Sequence, residues 1–261
     1  MYDRLAAADT DNDKELWAVL QKGWGSMDSA GWRGESKTNS FGVTIGQDKA
    51  LSDLWRGGAL LHYGRQNVSS SGDKGSADDV RLGLYSRYGR ENAANVAMYL
   101  TYGWQNNETQ RSLVNLPERL RGDYHSEVLS TGLQLSRTYP LSPPRVHNDS
   151  DWSIRPYAGV DASFYRLHGF SETGSRGYRQ SYDGQSDKVV SVDAGLELKR
   201  KLGPDGSYTI GAGCRHILTG EDTPLMARLA AGGSSFTSIG SGSAKDLLTS
   251  SCRVRLGSGK I

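Results

Sequence analysis

Apolar and polar residues alternate along this chain in stretches of about ten residues, the signature of strands that show different surroundings to their two faces. The clearest runs from Trp152 to Phe164. Trp152, Ile154, Pro156, Ala158, Val160, Ala162 and Phe164 hold one parity; Ser153, Arg155, Tyr157, Gly159, Asp161 and Ser163 hold the other. One face is free of charge and the opposite one carries Arg155 and Asp161. The same rhythm predicts ten strands, over residues 16–25, 39–48, 55–66, 80–89, 96–105, 124–139, 152–164, 190–198, 208–216 and 246–256.

The connections carry a second pattern. Short links (ALSD, GREN, LGPDG) and a Pro-rich one (PLSPPRVHNDSD) follow the even strands. Long polar stretches follow the odd ones: NVSSSGDKGSADD, NNETQRSLVNLPERLRGD, residues 169–187 and residues 218–244. Short turns at one end and large loops at the other are how a transmembrane β-barrel is organised, and strands of about nine to eleven residues match a tilted crossing of a bilayer. The predicted fold class is therefore all-β, an antiparallel up-and-down transmembrane barrel with about ten strands readable. A soluble β-sandwich adhesin module also alternates. Against it stand the strand length, the loop asymmetry and the purity of the apolar face.

The parity assigns sides. Facing lipid or forming aromatic girdles are Trp55, Leu61, Tyr63, Met98, Trp104, Trp152, Val160, Phe164 and Leu196. Trp17 is grouped with the girdle as well. Facing a polar lumen are Arg56, His62, Arg81, Arg87, Arg155, Asp161, Asp193, Glu197, Arg215 and Arg253. Two readings of the lumen charges stay open: a polar channel for an extended or hairpin polypeptide, or a salt-bridged filling of the barrel.

Composition narrows the remaining possibilities. The 261 residues include 33 Gly and 13 Tyr, and mean hydropathy is -0.57. That average does not count against a barrel, because only alternate residues of each strand meet lipid. No apolar run approaches the roughly 18 residues of a spanning helix. A net charge of +2 gives no electrostatic footprint for nucleic acid. Two cysteines, Cys214 and Cys252, share an outward parity on the last two strands. They are expected as free, lipid-facing thiols even if the strands bring them near. Five scattered histidines and no Cys-x-x-Cys motif predict no metal site and no cofactor. An omptin-like protease barrel would use acids and histidines at its outer rim. Asp161, His168 and Glu172 are the residues available for that, yet their spacing fixes no acid–histidine pair, so no catalytic residue is assigned.

Several segments resemble, in order, the translocator β-domain of autotransporters, the type V secretion system. LWAVLQKGWGSMDS with NSFGVTIGQDKAL resembles its opening hairpin, WRGGALLHYGRQNVSS its third strand and VRLGLYSRYG its fourth. RPYAGVDASFYRLHGFSETG resembles its Pro-aromatic-Ala-Gly strand and following loop, and GAGCRHILTGEDTP and SFTSIGSGSAKDLLTSSCRVRLGSG what comes next. The resemblance implies a barrel of twelve strands in the outer membrane of a Gram-negative bacterium, secreting an N-terminal passenger domain of the same polypeptide. It also implies partners: periplasmic chaperones, the outer-membrane assembly machinery and the lipid bilayer. Ten readable strands and an end at Gly257–Ile261 lead us to expect a domain cut at both ends. Residues 1–15 are then the remnant of a lumen-threading linker and 16–261 the barrel domain. The N-terminal MYDRLAAADTDNDKE lacks the pattern of an export signal, which is expected upstream.

Overall fold

The computed structural model describes residues 14–27, 35–70, 72–89, 93–113, 118–141, 152–174, 177–202, 206–220, 224–229, 235–239 and 245–255. Within them every regular element is a strand: β1 (Lys14–Met27), β2 (Ser36–Ala50), β3 (Trp55–Ser70), β4 (Asp73–Tyr88), β5 (Ala94–Ser112), β6 (Arg119–Arg137), β7 (Tyr139–Pro140), β8 (Trp152–Leu167), β9 (Phe170–Ser171), β10 (Gln180–Tyr182), β11 (Gln185–Leu202), β12 (Gly206–Thr219), β13 (Pro224–Leu229), β14 (Phe236–Ile239) and β15 (Asp246–Arg255). Ten of them form one antiparallel sheet in the order β1-β2-β3-β4-β5-β6-β8-β11-β12-β15, with the two-residue β7 paired to β8. Each long strand pairs with the next in the chain, the up-and-down connectivity that the alternation predicts. β1 and β15 do not pair with each other among the described residues, so the sheet is a barrel wall with two edges.

The sheet curves, and contacts between non-neighbouring strands show to which side. Trp17 on β1 donates to the Tyr85 hydroxyl on β4 at 2.7 Å. Arg215 on β12 lies 3.5 Å from Asp161 on β8. In a flat sheet strands three apart are about 14 Å distant, the limit of what a Trp and a Tyr laid toward each other can span. These side chains share one parity, which is therefore the concave face.

Glycines on that face seat the rings. A Cβ on Gly58 would lie 2.6 Å from the Tyr85 hydroxyl, and one on Gly195 would lie 2.5 Å from that of Tyr157. Gly58 is Tyr85's register partner, and Gly195 is Tyr157's. The absent side chain leaves room for the aromatic of the neighbouring strand to lie down against the backbone.

Three expectations change. The strands are longer than the alternation suggests: β5 and β6 have 19 residues each. The stretch 67–79, expected to be a loop, is a continuing hairpin that turns at Gly72, where φ is 98°. Beyond a membrane both faces of a strand meet water, so alternation stops while backbone pairing continues. Periodicity therefore reports where lipid ends, not where the strand ends. Trp104 and Phe164 lie inside their strands for this reason, marking the limit of the apolar band.

The segments 169–187 and 218–244 were also expected as polar loops. They contain a second antiparallel sheet, ordered β14-β13-β10-β9, joined to β6 by a bridge between Arg121 and Thr173.

Candidate functional site: the concave face and its outer mouth

The concave face is polar and knitted by charge. At one end Arg56 donates to Asp48 at 2.7 Å, and Tyr85 donates to the other Asp48 oxygen at 3.2 Å while accepting from Trp17. Asp48 and Arg56 are 1% and 3% exposed, so this network ties β1 to β4 in the driest part of the face. Leu60, Tyr85 and Ala97, flanked by Trp17 and Tyr99, form a small apolar cluster beside it. Trp17 thus belongs to the concave side and not to a lipid girdle. Its parity in β1 is opposite to that of the exposed Leu16, Leu20 and Trp24.

Further along, Arg155 reaches Glu197 through Nε at 2.9 Å and Nη2 at 2.7 Å, and Ser136 through Nη1 at 3.2 Å. Tyr99 donates to Asp161, which also faces Arg215. Asp193 stands over Gly159, where a Cβ would come within 2.9 Å of its carboxylate. His62 is bonded to Thr44 at 2.7 Å, and Arg81 is paired with Asp79. Arg87 is buried. The structure thus places Arg56, His62, Arg81, Arg87, Arg155, Asp161, Asp193, Glu197 and Arg215 on this one face. Arg253 stands opposite Thr209 in register, and its side chain lies outside the described residues. Buried charges in opposite pairs, further held by hydroxyls, are the arrangement in which burying ions is tolerable.

The convex face has the opposite character. Trp55, Leu61, Tyr63, Met98, Trp104, Val160, Phe164 and Leu196 are all exposed, between 38% and 53%. Trp152 is on this side too, covered in part by Tyr208 at 5.7 Å and by the Arg200 guanidinium at 5.3 Å. No second layer packs on these residues among those described, which excludes the sandwich. The charges that bound the band set its height. On β6 the convex positions from Glu127 to Arg137 enclose only Leu129, Thr131, Leu133 and Leu135. On β11 those from Lys188 to Arg200 enclose only apolar residues. At ~3.3 Å per residue and a tilt near 40° these spans give about 25 and 30 Å, the apolar thickness of an outer-membrane barrel. Aromatics sit at both limits: Trp55 against Tyr88 and Trp152 against Tyr208 at one, Tyr102 against Trp104 at the other.

Over the outer end of the concave face lies the small second sheet. Phe170 of β9 is stacked between Tyr124 of β6 at 4.4 Å and Tyr182 of β10 at 4.6 Å. Glu172 accepts from Arg111 through both oxygens, at 3.1 and 2.7 Å, and from the Gln180 backbone at 2.8 Å. Arg111, Leu120, Gly122 and Tyr124 have the concave parity, so the sheet folds inward across the mouth. Burial raises the ionisation of the Tyr182 hydroxyl above the usual phenol range, and it donates to Gln180 at 2.6 Å. Sequence reasoning missed this element because its strands are two to six residues long. The Phe170 and Tyr182 pair within polar surroundings was the available signal.

The candidate hydrolytic residues are not assembled. Glu172 is held by Arg111, Asp161 by Tyr99 and Arg215, and His168 lies 3.5 Å from Glu127. No group of three or more His, Cys, Asp or Glu side chains suited to a metal occurs among the described residues. The two cysteines are free and exposed. Cys214 stands opposite Leu248 and Cys252 opposite Ile210, four positions apart along the ladder, so the strand pairing does not make them neighbours.

Comparison with known proteins agrees with this geometry. The translocator domain of the autotransporter NalP from Neisseria meningitidis superposes with a TM-score of 0.69 at 18% identity, over 93% of this chain and 86% of that one. The β-domain of the Bordetella autotransporter BrkA does so with a TM-score of 0.63 at 19% identity, over 94% and 99%. At these identities they speak for the fold alone. An extracellular serine protease of Serratia marcescens is 28% identical over 196 residues, which take in 71% of this chain but only 17% of that protein's length. The model of the autotransporter β-domain family matches residues 16–257, nearly the whole chain, and the chain therefore belongs to that family.

Proposed function

We propose that this domain is the membrane-embedded translocator of an autotransporter. It anchors a passenger of the same polypeptide in the outer membrane of a Gram-negative bacterium and gives that passenger its way out. The observation that carries the reading is the contrast between the two faces. A convex band of about 25–30 Å without charge suits hydrocarbon, and a concave face of paired charges and hydroxyls suits a hydrated path. Family membership over residues 16–257 accords with it.

The mechanism is one of containment. Between β1 and β15 the backbone groups are satisfied by neighbouring strands, so that stretch of wall can stand in lipid, while the outward edges of β1 and β15 have no strand partner among the described residues. The paired charges inside offer a translocating chain polar contacts without presenting a single-sign field that would hold it. Arg155–Glu197 and Arg56–Asp48 are already neutralised in place. The small outer sheet narrows the exit on one side. The residues expected in the lumen and against lipid take those roles in this reading, and the segment before β1 belongs to the linker that joins the passenger. Delivery by periplasmic chaperones and the outer-membrane assembly machinery belongs to the same proposal. The proposal assigns no catalytic role.

The test is secretion itself. A reporter segment is joined upstream of this chain behind an export signal, and its exposure on intact cells is read by antibody and by added protease. Surface exposure that is lost when residues 16–257 are deleted is the expected result. A domain that inserts, shown by heat-modifiable mobility, while its reporter stays periplasmic would overturn the proposal.

A further inference from the structure

At the outer end of β12 and β15 the convex face carries a thiol, an imidazole and a carboxylate side by side. His216 and Asp246 are register partners, and Nδ1 of the imidazole donates to Oδ1 of the carboxylate at 2.6 Å. That bond keeps the proton on Nδ1 and the lone pair on Nε2. On the same strand and the same parity, two positions further into the apolar band, stands Cys214, a free and exposed thiol. Positions two apart on a strand are ~6.6 Å apart at Cα, a span that an imidazole and a thiol turned toward each other close to a hydrogen bond. The thiol makes no hydrogen bond among the described residues; such pairs often tighten only when substrate is bound.

The depth of this group follows from the tilt of the strands. The first charged or amide position on the convex face is Asp78 on β4 and Asn106 on β5, then Glu127 on β6 and Arg166 on β8, then Lys188 on β11. In register each of these levels lies two positions further in than the one before. Strands ~4.8 Å apart and tilted near 40° drift in this way against a level boundary. On β12 and β15 the boundary falls at His216 and Asp246, four positions further in than Lys188. Cys214 is therefore the last residue of the hydrocarbon band and His216 the first above it. Lipid ester groups lie at that junction, between acyl chain and headgroup. Cys252 is the counter-case on the same two strands. It shares the face but stands opposite Ile210, and its convex neighbours Tyr208, Ala212, Ser250 and Val254 include no base.

A nucleophile, a base beside it and a carboxylate that fixes the tautomer of the base are the parts of an acyl-transfer site. We propose that Cys214 takes an acyl group from an ester-linked lipid at the outer surface of the bilayer. His216 removes the thiol proton through Nε2. The sulfur bonds to the ester carbonyl carbon, the bond from that carbon to the glycerol oxygen breaks, and His216 returns the proton to the departing oxygen. The products are S-acylated Cys214 and a lysolipid, and no oxidant or cofactor enters. Asp246 acts through His216 as a positioning residue. This activity is separate from secretion and rests on the membrane placement proposed above.

The test uses the full chain, folded into vesicles of diester phosphatidylcholine or of its diether analogue. Neutral hydroxylamine is added to capture thioester-bound acyl groups, and acyl hydroxamate and lysolipid are measured by mass spectrometry. Wild type forms both from the diester lipid and neither from the diether. Cys214→Ala abolishes them, and His216→Ala lowers their rate about 100-fold or more, the range of a lost general base. Asp246→Asn lowers it about tenfold or more through loss of the favoured tautomer, and Asp246→Glu keeps most of it. Cys252→Ala leaves it unchanged. Heat-modifiable mobility checks that each variant is folded. Products that persist in Cys214→Ala or at full rate in His216→Ala, or that fall equally in Cys252→Ala, would overturn the site. A wild-type chain that inserts and forms no lysolipid removes the site alone, whereas one that floats free of every vesicle removes the membrane placement too.

Discussion

Glu197→Ala isolates the energetic logic of the concave face. Glu197 and Arg155 side chains are 6% and 11% exposed and joined by two hydrogen bonds to one carboxylate oxygen. Removing the carboxylate leaves the guanidinium with the Ser136 hydroxyl at 3.2 Å and the Tyr157 ring at 5.9 Å. Breaking one partner of a buried pair costs about 3–5 kcal/mol, because the surviving charge is left desolvated. Some water reaches a concave face, so the lower end, about 3 kcal/mol, applies here. Arg155→Ala with Glu197→Ala removes both charges together, so the double variant should lose about 2 kcal/mol less than the sum of the singles. The assay is urea unfolding of the full chain in detergent micelles or vesicles, followed by the fluorescence of its six tryptophans. A Glu197→Ala midpoint within ~0.5 kcal/mol of wild type, or single effects that add without coupling, would refute the reasoning.

Three more outcomes follow from other parts of the molecule. Gly58→Val should force the Tyr85 hydroxyl away from Asp48 and Trp17 and cost about 1–3 kcal/mol by overpacking, read in the same urea titration; an unchanged midpoint would show that the glycine seat is not needed. Phe170→Ala should free the small outer sheet, so limited proteolysis cuts within 169–187 sooner while the midpoint of the main sheet stays put; unaltered cutting would mean that the Tyr124–Phe170–Tyr182 stack does not hold it. Cys214 and Cys252 should both react with a membrane-permeable maleimide without prior reductant and resist a charged one in vesicles. An unreactive pair that reductant releases would contradict their four-position offset.

The two faces were legible in the sequence because a bilayer imposes a period of two on every strand that crosses it. Val160 and Leu196 on one side, and Arg155 and Glu197 on the other, follow from parity alone. Partners did not follow, because parity assigns a side without assigning a neighbour. Nothing in the sequence joins Trp17 to Tyr85 across 68 positions, so its place near a strand end points to a girdle aromatic. The outer hairpins look like loops in the sequence where water wets both faces, as between Asn67 and Asp79. The second sheet was invisible because strands as short as Phe170–Ser171 have no period to detect.

Accessibility of spin labels along β11 would decide whether hydrocarbon bathes the convex side. Single cysteines are placed from Val192 to Leu198 in a background with Cys214 and Cys252 replaced by serine, and the full chain is folded into vesicles. Oxygen should reach labels at 192, 194, 196 and 198 in preference to a water-soluble nickel chelate, with positions 193, 195 and 197 out of phase. Labels at the even positions that the chelate relaxes as readily as oxygen does, or a series without a period of two, would contradict the membrane wall.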